Sequence, residues 1–158
     1  MASPDDLEPE HSQGPPADER GRVLALDVGE RTLGMAISDP ERIIAQGLDT
    51  IRRTKLDKDL DALGRVIAEH EIVRIVVGWP LRLNGKPGIQ TQKVAKLAEA
   101  ISARFDLPID RWDERLTTVA AQRALIEGNV RREKRRTVVD KVAATLILQG
   151  YLEAGARS

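Results

Sequence analysis

Carboxylates at three places in this chain have the types and positions that could do chemistry. Asp27 closes the apolar run Leu24–Leu26 and precedes Val28 and Gly29. Asp113 and Glu114 close the segment "LPIDRWDE", and Asp140 follows the basic run "RREKRR" at 131–136. An unpaired charge beside buried leucines is costly, so Asp27 requires a partner. If the three places converge, the carboxylates repel one another and need a cation. Oxygen ligands without Cys or His suit Mg2+ or Mn2+. Two such ions can clamp the attacking water and the leaving oxygen of a phosphodiester.

Each acid also has a plainer reading. Asp27 could make an Asx turn. "TVVD" is itself a capping pattern, with Thr137 as cap and Asp140 in the first turn near the positive end of the helix dipole. Asp113 and Glu114 face opposite sides if their strand continues, so at most one joins Asp27 directly. The other can pair with Arg111 or Arg115.

The elements that must position these groups follow from hydrophobic period and turn residues. Residues 22–27, 33–38 ("LGMAIS") and 42–51 ("RIIAQGLDTI") read as three strands whose short links imply an antiparallel meander. Leu56, Leu60, Leu63 and Ile67 mark a helix over 55–70, with Thr54 as cap and Asp57 three residues on. "RIVVGWP", 74–80, is continuous enough to be buried on both faces, as in a parallel sheet. A turn-rich loop, "PLRLNGKPG", leads to a helix over 89–104 with Val94, Leu97, Ala98 and Ile101 as its stripe. A fifth strand falls at "LPIDRWDE". A helix over 118–127 ends at Gly128-Asn129, and a last helix runs from Val138 to Glu153. The order predicts an α/β fold: a mixed five-stranded sheet, three strands antiparallel and then two parallel, with helices on both faces. Ligands of such sheets gather at the C-terminal ends of the parallel strands.

Composition narrows the chemistry. The chain has 158 residues, 41% hydrophobic and 3% aromatic, enough for one aliphatic core. It contains no Cys and two His, which excludes disulfides, thiolate zinc sites and a thiol nucleophile and fits a cytoplasmic protein. No apolar stretch is long enough to span a bilayer, and the N-terminus lacks the regions of a signal peptide. Residues 1–21 carry six acids against one base and read as a disordered acidic tail, leaving 24 bases against 19 acids in a body at 22–158. A basic body favours an anionic partner.

Around the acids, Gly29 and Gly34 relieve a tight hairpin and let a phosphate approach. Arg82 and Lys86 lie on the loop after the fourth strand, where they could grip a phosphate. That loop lacks the Gly-Lys-Ser/Thr run of a nucleoside triphosphate site. The bases of "RREKRR", among them Arg132, Lys134, Arg135 and Arg136, read as a solvated loop or as a phosphate grip before Asp140. Thr117 and Thr118 could cap the next helix or meet a phosphate. Trp79 and Trp112 read as core residues ahead of base-stacking ones.

Four blocks, "LALDVGERTLGMAISDP", "VVGWPLRLNGKPGIQTQKVAKLAE", "WDERLTTVAAQRAL" and "RREKRRTVVDKVAATLILQGYL", together resemble the YqgF/RuvX family. These are RuvC-like proteins of ribonuclease-H fold, named for Holliday junction resolution and for nuclease action on precursor 16S ribosomal RNA. The resemblance covers residues 22–153 in order. It implies Asp27, Glu114 and Asp140 as the catalytic, metal-binding acids, with Asp113 an adjacent member of the motif. It raises Arg31 and Thr32 from ordinary turn residues to substrate contacts, beside Gly29, Arg115 and the bases above. The expectation is a nuclease using Mg2+ or Mn2+ on structured nucleic acid and leaving 5′ phosphates. RNA, at the 5′ end of precursor 16S ribosomal RNA, is favoured over a DNA junction, because no dimer helix stands out and resolution needs paired sites. The expected partners are nucleic acid and ribosomal precursor particles, with no membrane, for a monomer or weak homodimer. Two other classes remain: half of an actin-like ATPase, which shares the Asp-x-Gly hairpin but needs a second domain, and a non-catalytic RNA-binding assembly factor.

Overall fold

Strand β1 (Arg22–Val28) is the hub of a five-stranded sheet. The computed structural model describes residues 14–82, 84–116 and 132–156, and of 132–140 and 156 the backbone alone. In chain order β1 is followed by β2 (Thr32–Ser38), β3 (Ala45–Arg52), α1 (Leu56–Glu69), β4 (Ile72–Trp79), α2 (Ile89–Arg104), β5 (Ile109–Asp113) and α3 (Arg132–Ala156). The sheet order is β3-β2-β1-β4-β5. β1–β2 and β2–β3 are antiparallel, and β1–β4 and β4–β5 are parallel. This is the expected meander followed by two crossovers, with β1 central.

The apolar run of β1 is continuous because both faces of the sheet are covered. Leu24, Leu26 and Val28 share a core with Leu60 and Leu63 of α1 and Val94, Leu97 and Ile101 of α2. Val23 and Ala25 face the other way, with Ala36, Val76 and Trp112, onto Ala143, Ala144, Ile147, Leu148 and Tyr151 of α3. Small residues on that second face let α3 approach closely. At Gly47 of β3 an added methyl would lie 2.9 Å from Cε of Lys141. Both tryptophans are buried in these cores, as expected; Arg111 lies over the Trp79 ring at 5.0 Å, and Trp112 meets Tyr151 edge to face.

Several boundaries differ from the sequence reading, each for a local reason. α3 begins at Arg132, not Val138, so the backbone of the basic run from Arg132 on is helical. Thr137 and Asp140 are therefore internal to α3, and the "TVVD" cap does not form. β3 begins at Ala45: Asp39 accepts the amides of Ile43 and Ile44 at 2.7 and 2.8 Å, which turns the chain there and leaves both isoleucines exposed. At α1 the cap position is Lys55, not Thr54; the buried Asp59 carboxylate accepts the Thr54 amide at 2.9 Å. β5 stops at Asp113, and Glu114–Leu116 form a 3-10 turn. The helix expected over 118–127 lies outside the described residues.

Of the segment read as an acidic tail, residues 14–21 pack on the body and residues 1–13 lie outside the described set. Pro15 is buried, and Gly14 lies against Gly155 of α3 so closely that a methyl there would be 2.0 Å from its nitrogen. Glu19 accepts hydrogen bonds from Arg74 at 2.9 Å and Arg42 at 2.6 Å. Arg74 also reaches Asp110, whose carboxylate accepts the Tyr151 hydroxyl. The Arg74 hydrogen bond, opposed by burial and aided by Arg42, pulls the Glu19 carboxyl down to about 2. Burial and Asp110 push the Tyr151 hydroxyl well above its ordinary range.

Candidate active site

Side chains alternate along a strand, so Asp27 shares the α3 face of β1 with Val23 and Ala25. It is 4% exposed. Its cross-strand partner on β2 is Gly34. On the other side Leu26 pairs with Val77, so one further step along the ladder brings Gly78 of β4 beside Asp27. The carboxylate thus stands between two glycines, in a strip of bare backbone at the C-terminal ends of the parallel strands.

Gly78 also admits Glu114. A methyl at position 78 would lie 3.2 Å from Glu114 Oε1 and 2.5 Å from Ile147 Cδ1. The glycine therefore accommodates both the acid that follows β5 and the side chain by which α3 seats on the sheet. Asp27, Gly29, Gly78 and Glu114 together line a cleft of about 230 Å3, closed by Pro80 and by Gln90 and Val94 of α2. The structure brings two of the three expected acids to one place. The backbone of Asp140 lies in α3, four residues before Ala144 and seven before Ile147, a spacing that puts the position on the sheet-facing stripe.

The ambiguity at the end of β5 resolves through Arg115. Asp113 is buried and accepts the Arg115 amide at 2.9 Å, its Nε at 3.0 Å and its Nη2 at 2.6 Å. Asp113 is neutralised inside the protein while Glu114 reaches the cleft. Arg115, expected to contact substrate, is engaged by this pairing, and its guanidinium lies beside Gly85.

The remaining candidates lie on the turn after β1, on the loop after β4, at the head of α3 and outside the described residues. The turn from Gly29 to Thr32 is closed by the Gly29 amide donating to the Thr32 carbonyl at 2.9 Å. Arg31 is exposed on it. Arg82 and Lys86 are exposed on the loop after β4; the Arg82 amide donates to the Lys86 carbonyl at 3.0 Å, and the Arg82 side chain lies against Gly88. Thr117 lies outside the described residues, and Arg132, Lys134, Arg135 and Arg136 are described in backbone only, on the first turns of α3.

Three positioning residues were missed by the sequence reading. Arg53 pins the turn twice, by its amide to Arg31 O at 2.7 Å and by its guanidinium to Gly29 O at 2.7 Å. Thr91, fully buried in α2, accepts the Gly88 amide at 3.0 Å and donates to Pro80 O at 2.6 Å, fixing the far wall. Gly78 reads from sequence only as part of the fourth strand, with no role at the acids. Its spacing from Val76, two along one face of a strand, was the signal available.

A mixed sheet in this order, carrying carboxylates at its parallel strand ends, is the ribonuclease-H-like α/β nuclease fold. Two solved structures share it: Thermus thermophilus RuvC in complex with a Holliday junction substrate (TM-score 0.54, 13% identity, 85% of this chain and 96% of that one) and the yeast mitochondrial Holliday junction resolvase Ydc2 (TM-score 0.54, 12% identity, 88% and 80%). The family model RuvX, described as Holliday junction resolvase, matches residues 21–154, and the chain belongs to that family. Among its relatives are proteins named "Putative pre-16S rRNA nuclease" in Desulforamulus reducens, 49% identical over 86% of this chain and 99% of the relative, and in Thermoanaerobacter pseudethanolicus, 50% identical over 84% and 96%.

Proposed function

We propose that this chain is a metal-dependent endonuclease that hydrolyses phosphodiesters in structured nucleic acid, with maturation of the 5′ end of precursor 16S ribosomal RNA as its reaction. The observation that carries the reading is the convergence of Asp27 and Glu114 on one cleft floored by glycine. The names of relatives at about half identity support the RNA substrate. The family's description and the RuvC-like fold support a Holliday junction as the second substrate.

The donor set fits a hard divalent cation: carboxylate oxygens, no Cys anywhere, and a cleft of about 230 Å3 lined by Asp27 and Glu114. Among the described residues no three acids or histidines cluster; the family resemblance implies Asp140 as the third ligand. Bound there, Mg2+ or Mn2+ would activate water and stabilise the leaving 3′ oxygen. The chain's own residues hold and orient. Asp27 is fixed by the central strand, Glu114 by the turn that Asp113 and Arg115 brace and by the space Gly78 leaves it, and Gly29 would let the phosphate backbone come close. Arg82, Lys86 and the bases at the head of α3 would receive flanking phosphates, leaving 5′ phosphate products. Readout by shape suits this surface better than readout of bases. No described helix is long and apolar enough to cross a membrane, and the proposed working place is the cytoplasm, on ribosomal precursor particles.

The test is cleavage of a labelled precursor ribosomal RNA end and a four-way DNA junction side by side, in Mg2+, Mn2+ or chelator, with Asp27→Asn as control. Metal-dependent cutting of the RNA that the variant loses is the expected result. Cutting of the junction alone moves the substrate to DNA. Binding without cutting, equal in both proteins, overturns the nuclease reading in favour of a binding factor.

A further inference from the structure

A second cleft, of about 570 Å3, adjoins the first across the β1–β2 turn. Its walls carry Glu30 and Arg31 of the turn, Arg53 and Thr54 after β3, and Lys93 and Lys96 of α2. The two clefts share both walls. Gly29 lines the first and the next two residues line the second; on α2, Gln90 and Val94 face the first while Lys93 and Lys96 face the second. They are successive stretches of one surface path.

The second stretch is cationic by convergence, because four bases from three separate elements line a concavity with one carboxylate, while Arg53 is also paired from behind with the buried Asp59 at 3.8 Å. Lys93 and Lys96 are three apart on one face of α2, which sets their Cβ atoms about 5–6 Å apart. Both are exposed. Arg31 and Lys96 form no ion pair with a described residue, while Lys93 meets Glu30 at 3.3 Å in an exposed pair. Arg53 lies between the clefts, its guanidinium on the Gly29 carbonyl. A concave, cationic path that leads into a pair of acids suits an extended polyanion better than a small anion, which the open walls would not enclose.

Resting on the nuclease reading, we propose that this cleft carries the nucleic-acid strand on one side of the scissile phosphate. Arg31, Lys93 and Lys96 hold its phosphates, and Arg53 positions the turn between the held phosphates and the cut one. Glu30 guards the entry by occupying Lys93 until a phosphate displaces it. The sign of the effect is then opposite at two neighbouring residues. Removing the lysine charges weakens binding, and removing the Glu30 charge strengthens it.

The experiment is equilibrium binding of the fluorescent precursor RNA and the four-way junction, in chelator so that nothing is cut, over a range of salt. Wild type is compared with Lys93→Gln/Lys96→Gln, with Glu30→Gln, and with Arg20→Gln/Arg104→Gln, which loses the same charge from exposed pairs elsewhere. Two lost phosphate contacts should flatten the slope of log affinity against log salt by about 1.4–1.8. Glu30→Gln should bind up to about fivefold tighter, the size of an exposed ion pair. Equal slopes for the lysine variant and wild type, or the same loss in the arginine control, overturn the path. If wild type still cuts in Mg2+ in that case, the nuclease reading stands without it. If wild type binds neither nucleic acid, both readings fall.

Discussion

Gly78→Ala would place a methyl carbon 2.5 Å from Ile147 Cδ1 and 3.2 Å from Glu114 Oε1. Two effects of opposite sign compete. Within a strand, alanine over glycine is worth about 0.5–1 kcal/mol of stability. Overpacking a seated core side chain costs about 1–3 kcal/mol. Ile147 is fully buried and cannot swing into solvent, so the clash should win by about 1–2 kcal/mol, or roughly 2–8 °C in melting temperature at this chain length. Ile147→Val deletes the one atom in conflict and should alone cost about 0.5–1.5 kcal/mol. In the double variant the clash is gone while the alanine gain remains, so the losses should fall short of additive by the whole clash, about 1–3 kcal/mol. The methyl at 3.2 Å from Glu114 remains, and cleavage should stay reduced by about tenfold, since misplacing a reacting group by 1 Å costs about a hundredfold. Thermal melts and cleavage rates of the four proteins complete the cycle. Strict additivity refutes the packing argument. Recovery of cleavage together with stability refutes the claim that Gly78 makes room for Glu114.

The arm and the loop after β4 give two further outcomes. Glu19→Gln should destabilise by about 1–2 kcal/mol, because Glu19 is 28% exposed and the loss of its charge-assisted bonds is partly screened. The carboxyl is lowered from 4.5 to about 2, so its contribution is complete above pH 4.5 and fades as pH falls toward 2. The gap between the two melting curves should therefore close over that interval and stay constant from pH 5 to 8. Thr91→Val deletes a fully buried hydroxyl that joins Gly88 to Pro80. It should cost about 1–3 kcal/mol and speed hydrogen exchange at the Gly88 amide while leaving β1 protected.

The fold was legible where one residue pattern serves one environment. β1 and β4 are apolar on both faces, and α2 repeats its stripe at helical spacing, so topology and Asp27 followed from local sequence. The onset of α3 was not legible. Arg, Glu and Lys favour helix well, but a charged run has no apolar period, and Thr137 offered a false cap. The 113–114 pair was ambiguous because alternation applies only while a strand lasts, and the chain turns at Glu114. The packing of residues 14–21 depends on Glu19 meeting Arg42 and Arg74, 23 and 55 residues away. No local window contains that information. Gly78 is the same case: its neighbour Ile147 lies on the last helix.

The contact between Gly14 and Gly155 has a practical consequence. It brings the start of the arm and the end of the last helix to one spot, and the arm enters β1 at Arg22, about 17 Å of strand from Asp27. With residues 1–13 and those after Gly155 removed, a short peptide joining the two would close the polypeptide into a ring, which could be reopened in the turn after α1, at the exposed Glu71. Such a permuted chain keeps every strand pairing and leaves the cleft uncovered. It also makes the junction a mounting point, where a dye or an immobilising tag can be placed while the proposed path stays open.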